Sequence, residues 1–299
     1  MSDIKVTIII TTYGAPERLG LAIMSVLRQT YPLLELIIVD DNDENSAHRR
    51  STQNLIASLK KLGYVFSYYC HAKNRNGAAA RNTGLLHATG DFIGFLDSDD
   101  EYHAERVERL VALLKSAPQN VGGIFTGCEF RRNGKRYHTH SAEGVGQFLV
   151  ETLSCNFKFS TGSNIFLRKS VYDEVGMFDE RFLRHQDYEF LVRVFLKYSL
   201  AEIPEVLVIK NNDNLNLPPV EILLGVKRLF LKKYSKLLKS LPKTKKVLVL
   251  RSQRLQIAEA AAREKNFQVC WRNVKKVSRL GGFKFLEIAR IVLLFLRWT

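Results

Sequence analysis

The chain is poor in the features that mark secreted, zinc-bound or membrane-spanning proteins. Its four cysteines, Cys70, Cys128, Cys155 and Cys270, stand far apart and form no Cys-x-x-Cys pair. That spacing argues against a zinc site and a disulfide framework, and suits a reducing compartment. No apolar run approaches the roughly 20 residues that cross a bilayer. Met1–Val6 leads directly into a strand-like segment, so no secretory leader is expected. Neither internal repeats nor low-complexity tracts occur, and 46% hydrophobic with 25% charged residues is the composition of a folded globular chain. Acid is scarce in one segment only. Residues 210–299 carry 21 Lys/Arg against 5 Asp/Glu, whereas residues 1–209 carry 24 against 25. The net charge of +15 is therefore a property of the last third, which points to an anionic surface as a partner for that segment.

Acid is instead gathered in Gly90–Glu101. Phe92, Ile93, Phe95 and Leu96 read as a short buried strand, followed at once by Asp97, Asp99, Asp100 and Glu101. Carboxylates crowded at a strand end raise one another's pKa unless a cation sits among them. Mg²⁺ and Mn²⁺ prefer oxygen ligands, and Mg²⁺ is commonly held by one or two carboxylates plus substrate phosphates. The chemical reading is a metal–diphosphate platform at the carboxyl edge of a sheet. The plainer alternative is a solvated acidic turn capping a helix that begins near His103.

The preceding segments supply the sheet. Strands are predicted over Val6–Ile10, Leu34–Val39 and Val65–Cys70, with helices over Glu17–Gln29, Ala47–Leu62 and from Asn76-Gly77 onward. Strand–helix alternation repeated four times indicates a parallel sheet covered by helices. Thr11–Gly14, Asp40–Asn42 and Asp97–Asp100 all follow strand ends and should converge on one crevice. The turn Thr11–Pro16 includes Ala15 and Pro16.

Beyond a helix at Ala104–Ser116, Gly122–Arg131 and Arg136–Ser141 flank an Asn133-Gly134 hairpin signal, so antiparallel strands are expected there. Thr161-Gly162-Ser163 precedes a short strand at Asn164–Leu167. Phe178–Tyr198 holds Asp179, His185, Gln186, Asp187 and Glu189 and continues as a helix, and Asn211–Pro219 reads as a linker. From Val220 the chain is helical and basic. In Phe283–Trp298, Phe285, Ile288, Val292 and Phe295 recur at helical spacing, with Glu287, Arg290 and Arg297 on another face. Such a helix can lie in a membrane interface or pack on its own domain with its lysines in water.

Together these segments resemble the family 2 glycosyltransferases over about Lys5–Lys210. The family's members are inverting enzymes of the GT-A fold (α/β, Rossmann-like) that use nucleotide-sugar donors. Val-Thr-Ile-Ile-Ile-Thr-Thr-Tyr-Gly is similar to the family's first strand, which implies that Thr11 and Tyr13 contact the nucleobase. Gly14 stands where Asn is more usual. Val-Asp-Asp-Asn implies that Asp41 hydrogen-bonds the base, and Asn76-Gly77-x-x-x-Ala80-Arg81-Asn82 implies Arg81 near base or phosphates. Leu-Asp-Ser-Asp-Asp matches the D-x-D motif, which implies Asp97 towards ribose and metal and Asp99 as direct ligand of Mn²⁺ or Mg²⁺. His185-Gln186-Asp187 is similar to the segment that carries the general base, so Asp187 takes that role and Gln186 replaces an acidic residue. Gly162, Ser163 and Asn164 are expected to border the acceptor, as is Gln186; for the first three a plain turn at a strand start serves equally well. For Asp187 the plain alternative is an N-cap of the following helix.

The resemblance implies a catalytic domain over residues 1–210, with a nucleotide-binding half to about residue 101 and an acceptor half after it. Residues 211–299 form a basic helical extension. It also implies an inverting transfer from a UDP-sugar to an acceptor hydroxyl, and the basic amphipathic tail points to a saccharide or lipid-linked acceptor, in bacterial surface polysaccharide or glycolipid synthesis. The expected place is the cytoplasm, peripheral at the inner face of the cell membrane, with an anionic surface bound through 220–299. Rival readings remain. A sugar-nucleotide pyrophosphorylase would want a Gly-rich phosphate loop with Lys or Arg after the first strand, and Thr11–Pro16 has neither. A phosphatase with an Asp nucleophile would carry its D-x-D after the first strand rather than the fourth. A nucleic-acid-binding protein would use the basic tail, but the acidic crevice opposes that as the main role, and no nucleic acid is expected as partner. A nucleotide binder without turnover is a further alternative.

Overall fold

A computed structural model describes residues 4–14, 17–157, 162–211, 217–282 and 285–296. The expectations at Ala15, Pro16, Thr161, Arg297 and Trp298, and at 212–216 of the linker, lie outside these residues.

The chain forms two compact units, Met1–Gln147 with Lys158–Leu215, and Phe148–Phe157 with Asn216–Thr299. The second unit thus takes in a ten-residue segment of the middle of the chain, a departure from a simple division near residue 210. In chain order the elements up to this segment are β1 (Val6–Thr12), α1 (Leu19–Leu27), β2 (Leu34–Asp40), α2 (Ala47–Lys61), β3 (Ser67–Cys70), α3 (Gly77–His87), β4 (Phe92–Asp97), β5 (Glu101–Tyr102), α4 (Arg106–Ser116), β6 (Val121–Arg132), β7 (Lys135–His140), β8 (Gly144–Gly146) and, in the second unit, α5 (Leu149–Leu153). The first unit resumes with a 3₁₀ turn at Gly162–Asn164, β9 (Phe166–Arg168), α6 (Lys169–Val175), α7 (Gln186–Phe195) and β10 (Ser199–Asn211).

One mixed sheet runs in the order β3-β2-β1-β4-β9-β6-β10-β5. The first four strands are parallel, as the alternation of strands and helices predicts. Residues of alternate sign of the pleat divide the core. Val6, Ile8 and Ile10 of β1 join Leu36 and Ile38 of β2 in a cluster with α1, α2 and α4, while α3 packs on β1 and β2. β9 then enters antiparallel between β4 and β6. The Asn133-Gly134 turn closes the β6–β7 hairpin with both residues at positive φ, 49° and 73°, the conformation a two-residue hairpin turn requires. The expectation of antiparallel strands holds here, whereas β10 runs parallel to β6. The helices between them carry the chain back across, and a crossover returns a strand in the parallel sense.

The second unit is helical: α5, α8 (Val220–Lys233), α9 (Ser235–Ser240), α10 (Lys243–Arg263), α11 (Phe267–Arg279) and α12 (Phe285–Leu296). Its core gathers Val220 and Leu223, the run Ile257–Ala262 of α10, Cys270 and Ile291. Among the described residues no helix is long and apolar enough to cross a membrane.

Candidate active site

The acid turn after β4 is a single tight turn, closed by Asp100 N–H donating to Asp97 O at 3.0 Å. It caps no helix: α4 starts at Arg106 without a side-chain cap, and Glu101 and Tyr102 pair with β10 instead. Carboxylate oxygens of Asp97, Asp99 and Asp100 lie within 4.8 Å of one another. Asp99 is exposed and Asp100 wholly buried. Although Asp99 reaches solvent, loss of hydration within the turn, with the Asp97 charge adding to it, pushes its carboxyl above its ordinary range. Burial drives Asp100 up to about 7, against the pull of Lys210 and with Asp99 and Asp97 raising it further. Asp100 is anchored by Ser163 Oγ at 2.6 Å and Asn211 N–H at 3.3 Å, with Lys210 Nζ at 3.5 Å. Burial works to neutralise Lys210, but Asp100, Asp97 and Asp99 outweigh it and hold the ammonium charged.

Arg81 of α3 joins this turn to the start of α7. Its Nη2 donates to Asp97 Oδ1 at 2.8 Å, and its Nη1 donates to Gln186 Oε1 at 3.1 Å and lies 3.6 Å from Asp187 Oδ1. The guanidinium stands 5.9 Å from the Phe95 ring and 5.7 Å from the Phe178 ring. The resemblance implies Arg81 near base or phosphates; here it bridges two acidic groups inside the protein. Asp187 is not the N-cap of α7. That position belongs to His185, at φ 59°, and Asp187 sits in the first turn, where the helix dipole favours an anion. Its Oδ1 is buried and accepts no hydrogen bond among the described residues. Burial raises its pKa, Arg81 opposes, and Asp97 adds to the rise, which suits a carboxylate that takes a proton.

Gly162 closes the cradle. A Cβ there would meet Arg81 Nη2 at 3.0 Å and the Asp187 oxygens at 3.2 and 3.3 Å. Its expected place beside the acceptor is geometrically apt, since it lies against Asp187. Ser163 and Asn164 correct the expectation. Both are wholly buried. Ser163 Oγ accepts from Asp97 N–H at 3.0 Å while donating to Asp100, and Asn164 is bonded to Thr126 and Arg106. Ser163 braces the acid turn from beneath, and Asn164 fixes the strand beside it through Thr126 and Arg106. Gln186, also assigned to the acceptor, is 8% exposed and spends its amide on Phe182 O at 2.8 Å and its oxygen on Arg81.

On the nucleotide side, Thr11 is half-buried and sits in register between Val39 and Asp97. Tyr13 is 64% exposed at the end of β1, leaving its ring open for stacking. Asp41 is buried and its two oxygens each take two donors: His71 Nδ1 at 2.7 Å and Arg75 N–H at 2.8 Å on one, Asn74 Nδ2 and Asn76 N–H, both at 2.9 Å, on the other. A base N–H reaching Asp41 would have to replace one of these. As it stands Asp41 ties the 71–76 loop, and hence the start of α3 and Arg81, to the end of β2. Lys210 is the residue that sequence reasoning missed. It reads as the last position of an ordinary strand, and only the sheet order brings β10 beside the acid turn.

The oxygen donors of Asp97, Asp99 and Asp100 fit a hard divalent cation. With Asp187 the carboxylates outnumber Arg81 and Lys210, and the raised pKa values of Asp99 and Asp100 come first from loss of hydration and then from the neighbouring carboxylates.

The description Glycosyl transferase family 2 matches residues 7–176. The chain belongs to that family. Among its relatives are the amylovoran biosynthesis glycosyltransferase AmsB of Erwinia amylovora, 30% identical over 64% of each chain, and the UDP-Glc:alpha-D-GlcNAc-diphosphoundecaprenol beta-1,3-glucosyltransferase WfgD of Escherichia coli, 33% identical over 68% of this chain and 74% of the relative. The match to the Erwinia protein thus spans just under two thirds of that protein's length. The fold is that of S. aureus TarS 1–349 with UDP-GlcNAc, at TM-score 0.59 and 14% identity over 94% of this chain and 93% of that one. It is equally that of the mannosyltransferase PcManGT from Pyrobaculum calidifontis with GDP-Man and Mn²⁺, at TM-score 0.56 and 14% identity over 98% and 79%. The GT-A architecture expected from the resemblance is the one observed.

Proposed function

We propose that this member of family 2 is an inverting glycosyltransferase that moves a sugar from a nucleotide-diphosphate donor, a UDP-sugar, to a hydroxyl of a saccharide or lipid-linked acceptor. One observation carries the reading: a single buried guanidinium, Arg81, holds the acid turn on one side and, on the other, the Asp187 carboxylate, whose Oδ1 accepts no hydrogen bond among the described residues. Donor and acceptor chemistry need such a pair of poles within one crevice. Tyr13 stacks on the base, with Thr11 beside it, and Asp97 faces the ribose. Asp99, with Asp97, would hold Mn²⁺ or Mg²⁺, which when bound offsets the charge that grows on the departing diphosphate. Lys210 adds a fixed positive charge to the same corner, and Asp100 orients it.

Asp187 takes the proton from the acceptor hydroxyl as that oxygen attacks the anomeric carbon from the face opposite the diphosphate. The anomeric C–O bond breaks, the electron pair leaves with the diphosphate, and configuration inverts. One carboxylate base suffices because no covalent sugar–enzyme intermediate forms. The names of the relatives support a UDP donor and a diphosphoundecaprenol-linked acceptor. A lipid-linked acceptor of this kind would place the enzyme at the inner face of a cell membrane, in surface polysaccharide or glycolipid synthesis.

The test is a panel of nucleotide sugars with Mn²⁺ or EDTA, read by calorimetry for binding and by product mass for transfer. A UDP-sugar should bind only with the metal and yield a product of inverted anomeric configuration. Binding unaffected by EDTA, or retention of configuration, would refute the reading.

A further inference from the structure

The last helix pairs its charges with α10, Glu287 from a largely buried position and Arg290 from an exposed one. Glu287 pairs with Arg251 and Arg290 Nε lies 3.3 Å from Glu259 Oε1, both partners belonging to α10. Ile291 is buried in the helical core, with Leu294 and Phe295 packed against it. The opposite side of α12 is apolar: Leu286, Ile288, Val292 and Leu293 are 78%, 49%, 49% and 56% exposed. Of the two readings of this helix, packing on its own domain would bury Ile288 and Val292, and both are half-exposed. Beside this face, Phe267 and Trp271 of α11 are 69% and 52% exposed, and Phe267 lies 6.0 Å from Phe295. Lys275 and Arg279 continue the i+4 row that Phe267 and Trp271 begin, with Lys275 Nζ 5.3 Å from the Trp271 ring. The row therefore passes from aromatic to basic along one side of α11.

We propose that the outward face of α12, with Phe267 and Trp271 beside it, docks into the boundary between headgroups and acyl chains of an anionic lipid bilayer. An apolar face edged by aromatic and basic side chains is what a helix lying in that boundary presents. Charge selects the occupant. The segment holds 21 Lys/Arg against 5 Asp/Glu over residues 210–299, so a second copy would bring like charge against like, whereas anionic headgroups bring the complement. α12 is too short to span, so it lies on the membrane. The proposal deepens the lipid-linked acceptor reading and rests on it for its purpose. Vesicle binding requires neither donor nor acceptor, so it can fail while transfer stands, and the reverse.

The test uses the full chain and vesicles of phosphatidylcholine, alone or mixed with phosphatidylglycerol. The protein should sediment with the mixed vesicles and not with the neutral ones, and Leu286→Ser/Leu293→Ser should weaken binding by about tenfold or more. In a Trp298→Phe background, emission from Trp271 should shift to the blue on vesicle addition. That readout leaves α12 intact and so holds even where the double variant folds poorly. Absence of binding to anionic vesicles, wild-type binding by a folded double variant, or an unshifted Trp271 would overturn the proposal. So would a wild-type dimer that the double variant converts to monomer, since the face would then belong to a second copy.

Discussion

At the end of β4, three carboxylates crowd one turn and a fourth stands behind Arg81; on the outer side of α12, four aliphatic side chains meet water with exposed Arg290 at their edge. The first place holds more charge than its burial tolerates, and the second less than its exposure warrants. Among the described residues neither imbalance is fully relieved. Arg81 and Lys210 offset part of the acid, and Lys275 and Arg279 only edge the apolar face. What the contrast teaches is that a protein carries its unsatisfied physics where something else is to bind. A surplus of buried carboxylate asks for a cation and its phosphates, and a surplus of exposed hydrocarbon beside basic side chains asks for lipid.

The comparison can be broken most sharply at its acidic end. Asp187→Asn should lower kcat by about 10²–10⁴-fold, the range for removing a general base, while nucleotide affinity measured by calorimetry stays near wild type. Near-normal turnover in that variant would remove Asp187 from the reaction. Asp99→Ala should cost about 10²-fold or more in kcat/KM and abolish the dependence of nucleotide binding on Mn²⁺; metal-dependent binding that survives would locate the ion elsewhere. Gly162→Ala tests whether the cradle is as tight as it looks. With Cβ 3.0 Å from Arg81 and 3.2 Å from Asp187, one of them must shift, and a kcat loss of about ten- to a hundredfold with little change in donor affinity is expected.

A smaller effect concerns the same turn without metal. Asp100 has an ordinary pKa of 3.8 raised to about 7 by burial. Between those values the folded protein retains a proton that the unfolded chain has lost, so stability falls as pH rises through that window and levels off above it. In EDTA, Tm should drop by about 5–10 °C across the window, and Mn²⁺ added above it should restore most of the loss; a metal-free Tm that rises with pH would contradict the assignment. The smallest contrast is in salt. Raising it from about 0.1 to 1 M shortens the Debye length from about 10 to 3 Å, which should loosen vesicle binding several-fold and leave nucleotide–metal binding, between groups in contact, nearly unchanged. Equal weakening of both would dissolve the distinction between the two regions.

Much of the first unit was legible from the order of residues. Buried strands announce themselves as Val/Ile/Phe runs, because only apolar side chains survive on both faces of a covered sheet, and the carboxyl ends of those strands name the crevice. Strand ends therefore predicted that the Thr11–Gly14, Asp40–Asn42 and Asp97–Asp100 turns would share one crevice, the family resemblance added Arg81 and Asp187, and the basic, helical character of the last third was equally plain. Contacts set by neighbours distant in sequence were not legible. Ser163 and Asn164 read as small polar residues near a strand start, yet β9 inserts between β4 and β6 and buries them under the acid turn. Asp41 reads as an open carboxylate, yet the 71–76 loop folds onto both its oxygens. Lys210 reaches the acids only because β10 runs parallel to β6. In α12 helical spacing established that charged and apolar residues occupy different sides, but not which side faces in. Ion pairs with Arg251 and Glu259 decided that, since periodicity along one helix contains no information about the helix it packs against.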